Sequence, residues 1–123
     1  MNLRPRARLL LAAMLMLSIA VHAQESSLPP SRGGLHPVPL PSFDALEPAV
    51  ADQLRAAQRD VQAAAARGAT TRDMAAVYGS LARLFHAYEL FDGAEAAYLN
   101  ALRLAPNDVT WLHLLGYLYQ QTG

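Results

Sequence analysis

The chain reads as an all-α protein of antiparallel helix hairpins preceded by one amphipathic helix, and three observations predict that class. Beyond residue 43, apolar residues recur at spacings of three and four, the period of a helix face. Helix-start signals, a short oxygen-bearing residue followed three places later by an acid, punctuate the pattern at Asp44, Thr70 and Asp92. Finally, Tyr78, Leu81, Ala82 and Phe85 return 34 residues later as Leu112, Leu115, Gly116 and Tyr119. A helical unit of that period cannot bury its apolar face alone and stacks on its neighbour.

The elements follow in order. Arg4, Arg6 and Arg8 precede an apolar run from Leu9 to Leu17 that continues through Ile19 to Val21, and Val21-His22-Ala23 supplies a small-residue cleavage site. This is the pattern of a secretory signal peptide spanning residues 1–23, cut after Ala23, with a core too short for a comfortable membrane span. The mature chain is therefore expected in the periplasm or secreted, with no membrane association after cleavage. The protein contains no cysteine, so neither a lipid anchor nor a disulfide framework is expected.

Residues 24–43 carry Pro29, Pro30, Pro37, Pro39 and Pro41 with Gly33 and Gly34, which forbid a helix and favour an extended linker. Leu35, Val38, Leu40 and Phe43 are more apolar than a free tether needs, so a strap lying along the helices is the alternative reading.

The first helix is expected over 44–68, opened by an Asp44/Glu47 capping box with Pro48 in its first turn and closed by Gly68. Its apolar face is Leu46, Val50, Leu54, Ala57, Val61 and Ala65. Residues 70–108 form a hairpin: one helix from the Thr70 cap to about Tyr88, the short connection Glu89-Leu90-Phe91, and an Ala-rich helix from about Gly93 to Leu104 capped at Asp92. Pro106 ends that helix, and Asn107-Asp108 cap a fourth over 109–123.

Tyr78, Leu81, Ala82, Phe85, Ala94, Tyr98, Ala101 and Pro106 stand in the order that the tetratricopeptide repeat family requires, and residues 75–123 resemble one full repeat and the first half of another. Ala82 replaces the usual Gly, which Gly116 restores. Glu89 replaces a common loop Gly, and Trp111 stands one place early, so Leu112 is expected inward with Trp111 at the edge. The resemblance implies an α-solenoid with a concave groove lined by the first helix of each repeat. Carried onto this chain, the groove residues are Arg83, His86, Thr110, His113, Tyr117, Gln120 and Gln121. That mixture of one cation, two imidazoles, an aromatic ring and amides suits an extended peptide backbone, and it lacks the Lys and Asn cluster with which some family members clamp a terminal carboxylate.

Composition narrows the function. Three of the ten basic residues lie in the signal segment while all ten acids lie beyond it, leaving a mildly acidic mature chain of net −3. All the basic residues are scattered arginines, so nucleic acid is not expected as a partner. Ser80 and His86 are too far apart on one helix for a nucleophile pair, His86 and His113 lack a third metal ligand, and there is no C-x-x-C-H motif or phosphate loop. No cofactor, metal or catalytic activity is expected. Most aromatic residues fall at packing positions, which argues against a carbohydrate platform for all but Trp111 and Tyr117.

The expected role is a protein-interaction scaffold taking a peptide or protein partner. The rivals are an N-terminal accessory region of a larger exported enzyme or electron-transfer protein, and a small homodimeric structural protein associating through the C-terminal helix. Leu112, Leu115 and Tyr119 are expected to face a missing neighbour, each large side chain contributing about 1.5–3 kcal/mol when buried. A further helix, a second copy, or the helix over 44–67 folded back would each cover them.

Overall fold

The computed structural model describes residues 34–123. The expected signal peptide at 1–23, and the linker up to residue 33, lie outside the described residues. Among those described the protein is all-α, with one 3-10 turn at Phe43–Ala45 and four α-helices: α1 (Pro48–Ala66), α2 (Thr71–Ala87), α3 (Phe91–Leu104) and α4 (Val109–Thr122).

Helix α1 starts three residues later than the Asp44/Glu47 capping box implies, with Glu47 at the N-cap position in place of Asp44. Pro48 is its first residue, and the pyrrolidine ring of a proline pushes the preceding residue out of the helical region. Glu47 is accordingly extended (ψ 137°) and makes no side-chain cap bond. Its buried face is Ala51, Leu54 and Ala64, with Val50, Ala57 and Val61 packed alongside, so Ala64 takes the inward place expected for Ala65. The helix ends in left-handed Gly68 (φ 66°), where Gly68 and Ala69 donate their N–H groups back to the carbonyls of Ala65 and Ala64. That paired closure satisfies carbonyls which the helix itself leaves free.

Thr70 caps α2 by accepting from the Asp73 N–H at 3.1 Å. The same closure recurs at the other end of α2 without a glycine: Glu89 takes φ 58°, donating to the His86 carbonyl, while Leu90 donates to that of Phe85. This turn delivers the chain straight into α3, which begins at Phe91. Asp92 therefore lies inside the first turn instead of capping it, and Leu90 is the N-cap residue with no side-chain bond. The fourth helix is capped by Asp108, which accepts from the Thr110 N–H at 2.9 Å.

Packing is closest between α2 and α3, where Ala82, Ala94, Ala97 and Ala101 are fully buried and let the helix axes approach. Tyr98, Phe85 and Leu54 complete the core with Leu81, Leu115 and Leu118. Helix α1 packs on α2, and α4 packs on α3 and, less extensively, on α2. Helix α1 makes no packing contact with α4, so it does not fold back to cover that helix.

On α4, Trp111 and Leu112 exchange their expected places. Leu112 is 61 % exposed, while the Trp111 indole lies on Gly79 of α2, where any Cβ would collide with the ring. The gap over Gly79 sets the register of α4. Leu115 is buried, and the exposed apolar groups of this helix are Val109, Leu112, Tyr117 and Tyr119.

From Gly34 to Ser42 the chain forms no helix or strand, and it packs as a strap in place of a free tether. The N–H of His36 donates to Asn100 Oδ1 at 2.6 Å, and Asn100 Nδ2 donates to the His36 carbonyl at 2.9 Å. Val38 packs against the core, and Arg55 sits over the Phe43 ring, 4.7 Å from its centroid. No described helix is long and apolar enough to cross a membrane.

Candidate functional site

Helices α2 and α4 meet at two points, Trp111 near the start of α4 lying against Gly79 in the middle of α2, and Gln121 near the end of α4 bonding His86 near the end of α2. Their unshared edges enclose an open groove of about 370 Å³ lined by Arg83, His86 and Ala87 from α2, Leu114, Tyr117 and Gln121 from α4, and Glu89, Phe91 and Tyr98. On α4, Leu114, Tyr117 and Gln121 stand at intervals of three and four, one stripe of the helix surface.

His86 forms the floor of this groove. Its Nε2 bonds Gln121 Oε1 and its Nδ1 lies 3.3 Å from the Tyr98 hydroxyl. An amide oxygen only accepts, so Nε2 donates to Gln121, which in the tautomer with its one proton on Nε2 leaves Nδ1 to accept from the Tyr98 hydroxyl. The imidazole is boxed by Phe91, Tyr98 and Tyr117, with ring centroids 6.1, 5.9 and 5.7 Å away. Both of its nitrogens are engaged, so His86 acts as a fixed wall that ties α2 to α3 and α4 and offers no free ring nitrogen to a ligand. Tyr98 is fully buried, which raises its phenol above the ordinary range, and the nearby Arg83 charge partly opposes that rise.

The accessible groups at the mouth are different ones. Arg83 is exposed, and the one ion pair among the described residues is Arg55–Asp52 at 3.2 Å, so its guanidinium is not neutralised. Tyr117 is 50 % exposed. The Gln121 amide donates weakly to the Tyr117 hydroxyl at 3.4 Å. A planar cation, a phenol ring and an amide around an aromatic floor can together hold a carboxylate or a peptide carbonyl beside an apolar side chain.

Of the seven residues singled out by sequence, the structure brings Arg83, His86, Tyr117 and Gln121 together. Thr110, His113 and Gln120 are exposed on α4 and do not line the groove. Sequence reasoning missed Ala87, Leu114, Phe91, Glu89 and Tyr98 as lining residues. Leu114 was findable from its stripe with Tyr117 and Gln121; Phe91 and Glu89 depend on the turn between α2 and α3. Among the described residues no cluster of three or more His, Asp or Glu side chains suits a metal ion. Comparison with protein-family models, with curated protein sequences and with solved structures finds no match to this chain.

Proposed function

We propose that this protein is an exported scaffold of the tetratricopeptide type that binds a peptide or protein partner in the groove between α2 and α4. One observation carries the reading: two helices that share a sequence pattern 34 residues apart contribute Arg83, Tyr117 and Gln121 to a single open groove with a rigid aromatic floor. The repeat assignment is supported by the packing of Leu81, Ala82 and Phe85 of α2 in one core with Ala94 and Tyr98 of α3. Export rests on the basic, apolar and small-residue order of residues 1–23. The role proposed is binding, without catalysis.

The test is a selection of displayed peptides on the wild-type protein, followed by titration of the selected sequences against variants. Tyr117→Ala is expected to weaken binding by about tenfold or more, as loss of a central aromatic contact does, with unchanged thermal melting because the ring is half exposed. Arg83→Ala is expected to weaken it by less and to reduce its salt dependence. Equal affinities for wild type and both variants would remove the groove as the binding site.

A second reading has its own observation. Val109, Leu112 and Tyr119 are 74, 61 and 45 % exposed on one helix, and the space above Gly116 is open. Self-association through α4 would cover these groups.

A further inference from the structure

We propose that the groove between α1 and α3 is a recognition site for an extended, proline-rich peptide, occupied in cis by residues 35–41 and able to take a separate segment of the same chemistry when the strap leaves. Its floor is not that of the Arg83 groove: Tyr78 and Leu81 of α2 line it, whereas Arg83 and Ala87 lie on the other side of that helix, and the two sites meet at Glu89 and Phe91 of the α2–α3 turn.

The site is built on one face of α3, where Gly93, Ala96, Asn100 and Arg103 stand at intervals of three and four. Asn100 is fully buried, and its amide is spent on the strap, taking the N–H and giving to the C=O of the single residue His36. Such a bond pair reads backbone, whatever the side chain. Gly93 leaves room for the Pro39 carbonyl, which would lie 3.0 Å from a Cβ at that position. The Arg103 guanidinium lies against Gly34.

The occupant suits such a reader. His36, Val38 and Leu40 each precede a proline, which holds them extended. An extended segment of this kind keeps its N–H and C=O groups free for a partner and has little conformational entropy left to lose.

The strap covers the groove without filling it. Hollows of about 380, 240 and 350 Å³ remain along its length, at Pro39–Pro41 against the α2–α3 turn, at Val38 against α1, and at Pro37 against Leu99. Leu40 stays 45 % exposed. A segment held through its backbone at His36 and Pro39 and by the Val38 side chain, with open space left beside it, behaves as a bound ligand more than as core.

The experiment uses the full chain and the variant His36→Pro, which removes the donated N–H and sets a ring against Asn100 while keeping the strap extended. The probe is a fluorescent synthetic peptide of residues 34–42, followed by anisotropy. The peptide is expected to bind His36→Pro saturably at one site, and to bind wild type at least about tenfold more weakly, because the tethered strap competes at a high effective concentration. Adding Asn100→Ala to His36→Pro is expected to abolish binding, with helicity checked by circular dichroism. Absence of binding to a helical His36→Pro protein would overturn the proposal, as would equal binding to wild type. Loss of helicity in His36→Pro itself would also overturn it, since the strap would then be an integral part of the core.

Discussion

Glu89 is the described non-glycine residue with a left-handed backbone, at φ 58°. A Cβ in that region is crowded by the neighbouring peptide, at a cost of about 1 kcal/mol. The turn accepts the cost because Glu89 and Leu90 donate to the last free carbonyls of α2 and aim Phe91 at the His86 floor. Glu89→Gly is expected to stabilise the protein by about 1 kcal/mol in urea denaturation, with the same unfolding cooperativity. A destabilised Glu89→Gly variant would mean that the carboxylate contributes more than the strain costs. By contrast, Gly68 holds the equivalent position after α1 without strain, with nothing within 4 Å of where a Cβ would be.

The helices dock through single small residues facing large rings. Gly79 receives Trp111 and Gly93 receives Phe85, so α4 is placed on α2, and α3 on α2, by the absence of a methyl group. Gly79→Ala would improve intrinsic helix propensity by about 1 kcal/mol, yet its methyl must displace an indole ring, and overpacking costs about 1–3 kcal/mol. The expected result is a net loss of stability, with red-shifted emission from the single Trp111 as the indole is pushed into water. An unshifted spectrum with higher stability would show that α4 is not seated on α2 through this contact. Tyr119 adds a second tie, donating to Glu95 of α3 at 2.7 Å. Donating its proton in that bond, together with some burial and the Glu95 charge, raises the Tyr119 phenol above its ordinary range.

Taken together, the described residues present one covered apolar face and one uncovered. The strap lies over α2 between α1 and α3, whereas Val109, Leu112 and Tyr119 of α4 meet solvent. If α4 is a self-association surface, sedimentation should show a mass that rises with protein concentration, and Leu112→Arg should hold the protein monomeric at every concentration. A single monomeric species for the wild type would leave that face to a different partner.

Helix existence and order were legible along the chain because apolar period, Thr70, Gly68, Asp108 and Pro106 act within a few residues of one another, where local sterics and hydrogen bonds decide. The same local logic failed where two signals competed. At Asp44 to Pro48 a capping pattern lost to a proline's restriction of Glu47, and at Asp92 it lost to the turn through Glu89. Four of the nine groove-lining residues were legible too, since Arg83, His86, Tyr117 and Gln121 are what the repeat resemblance implies. The strap clamp, the seat of Trp111 on Gly79 and the engagement of both His86 nitrogens were not. Each joins residues far apart in sequence, such as His36 with Asn100 or His86 with Gln121. Such contacts exist only after the helices have packed, because a side chain's partner across 30 or more residues is chosen by the space the fold leaves, and local pattern carries no record of that space.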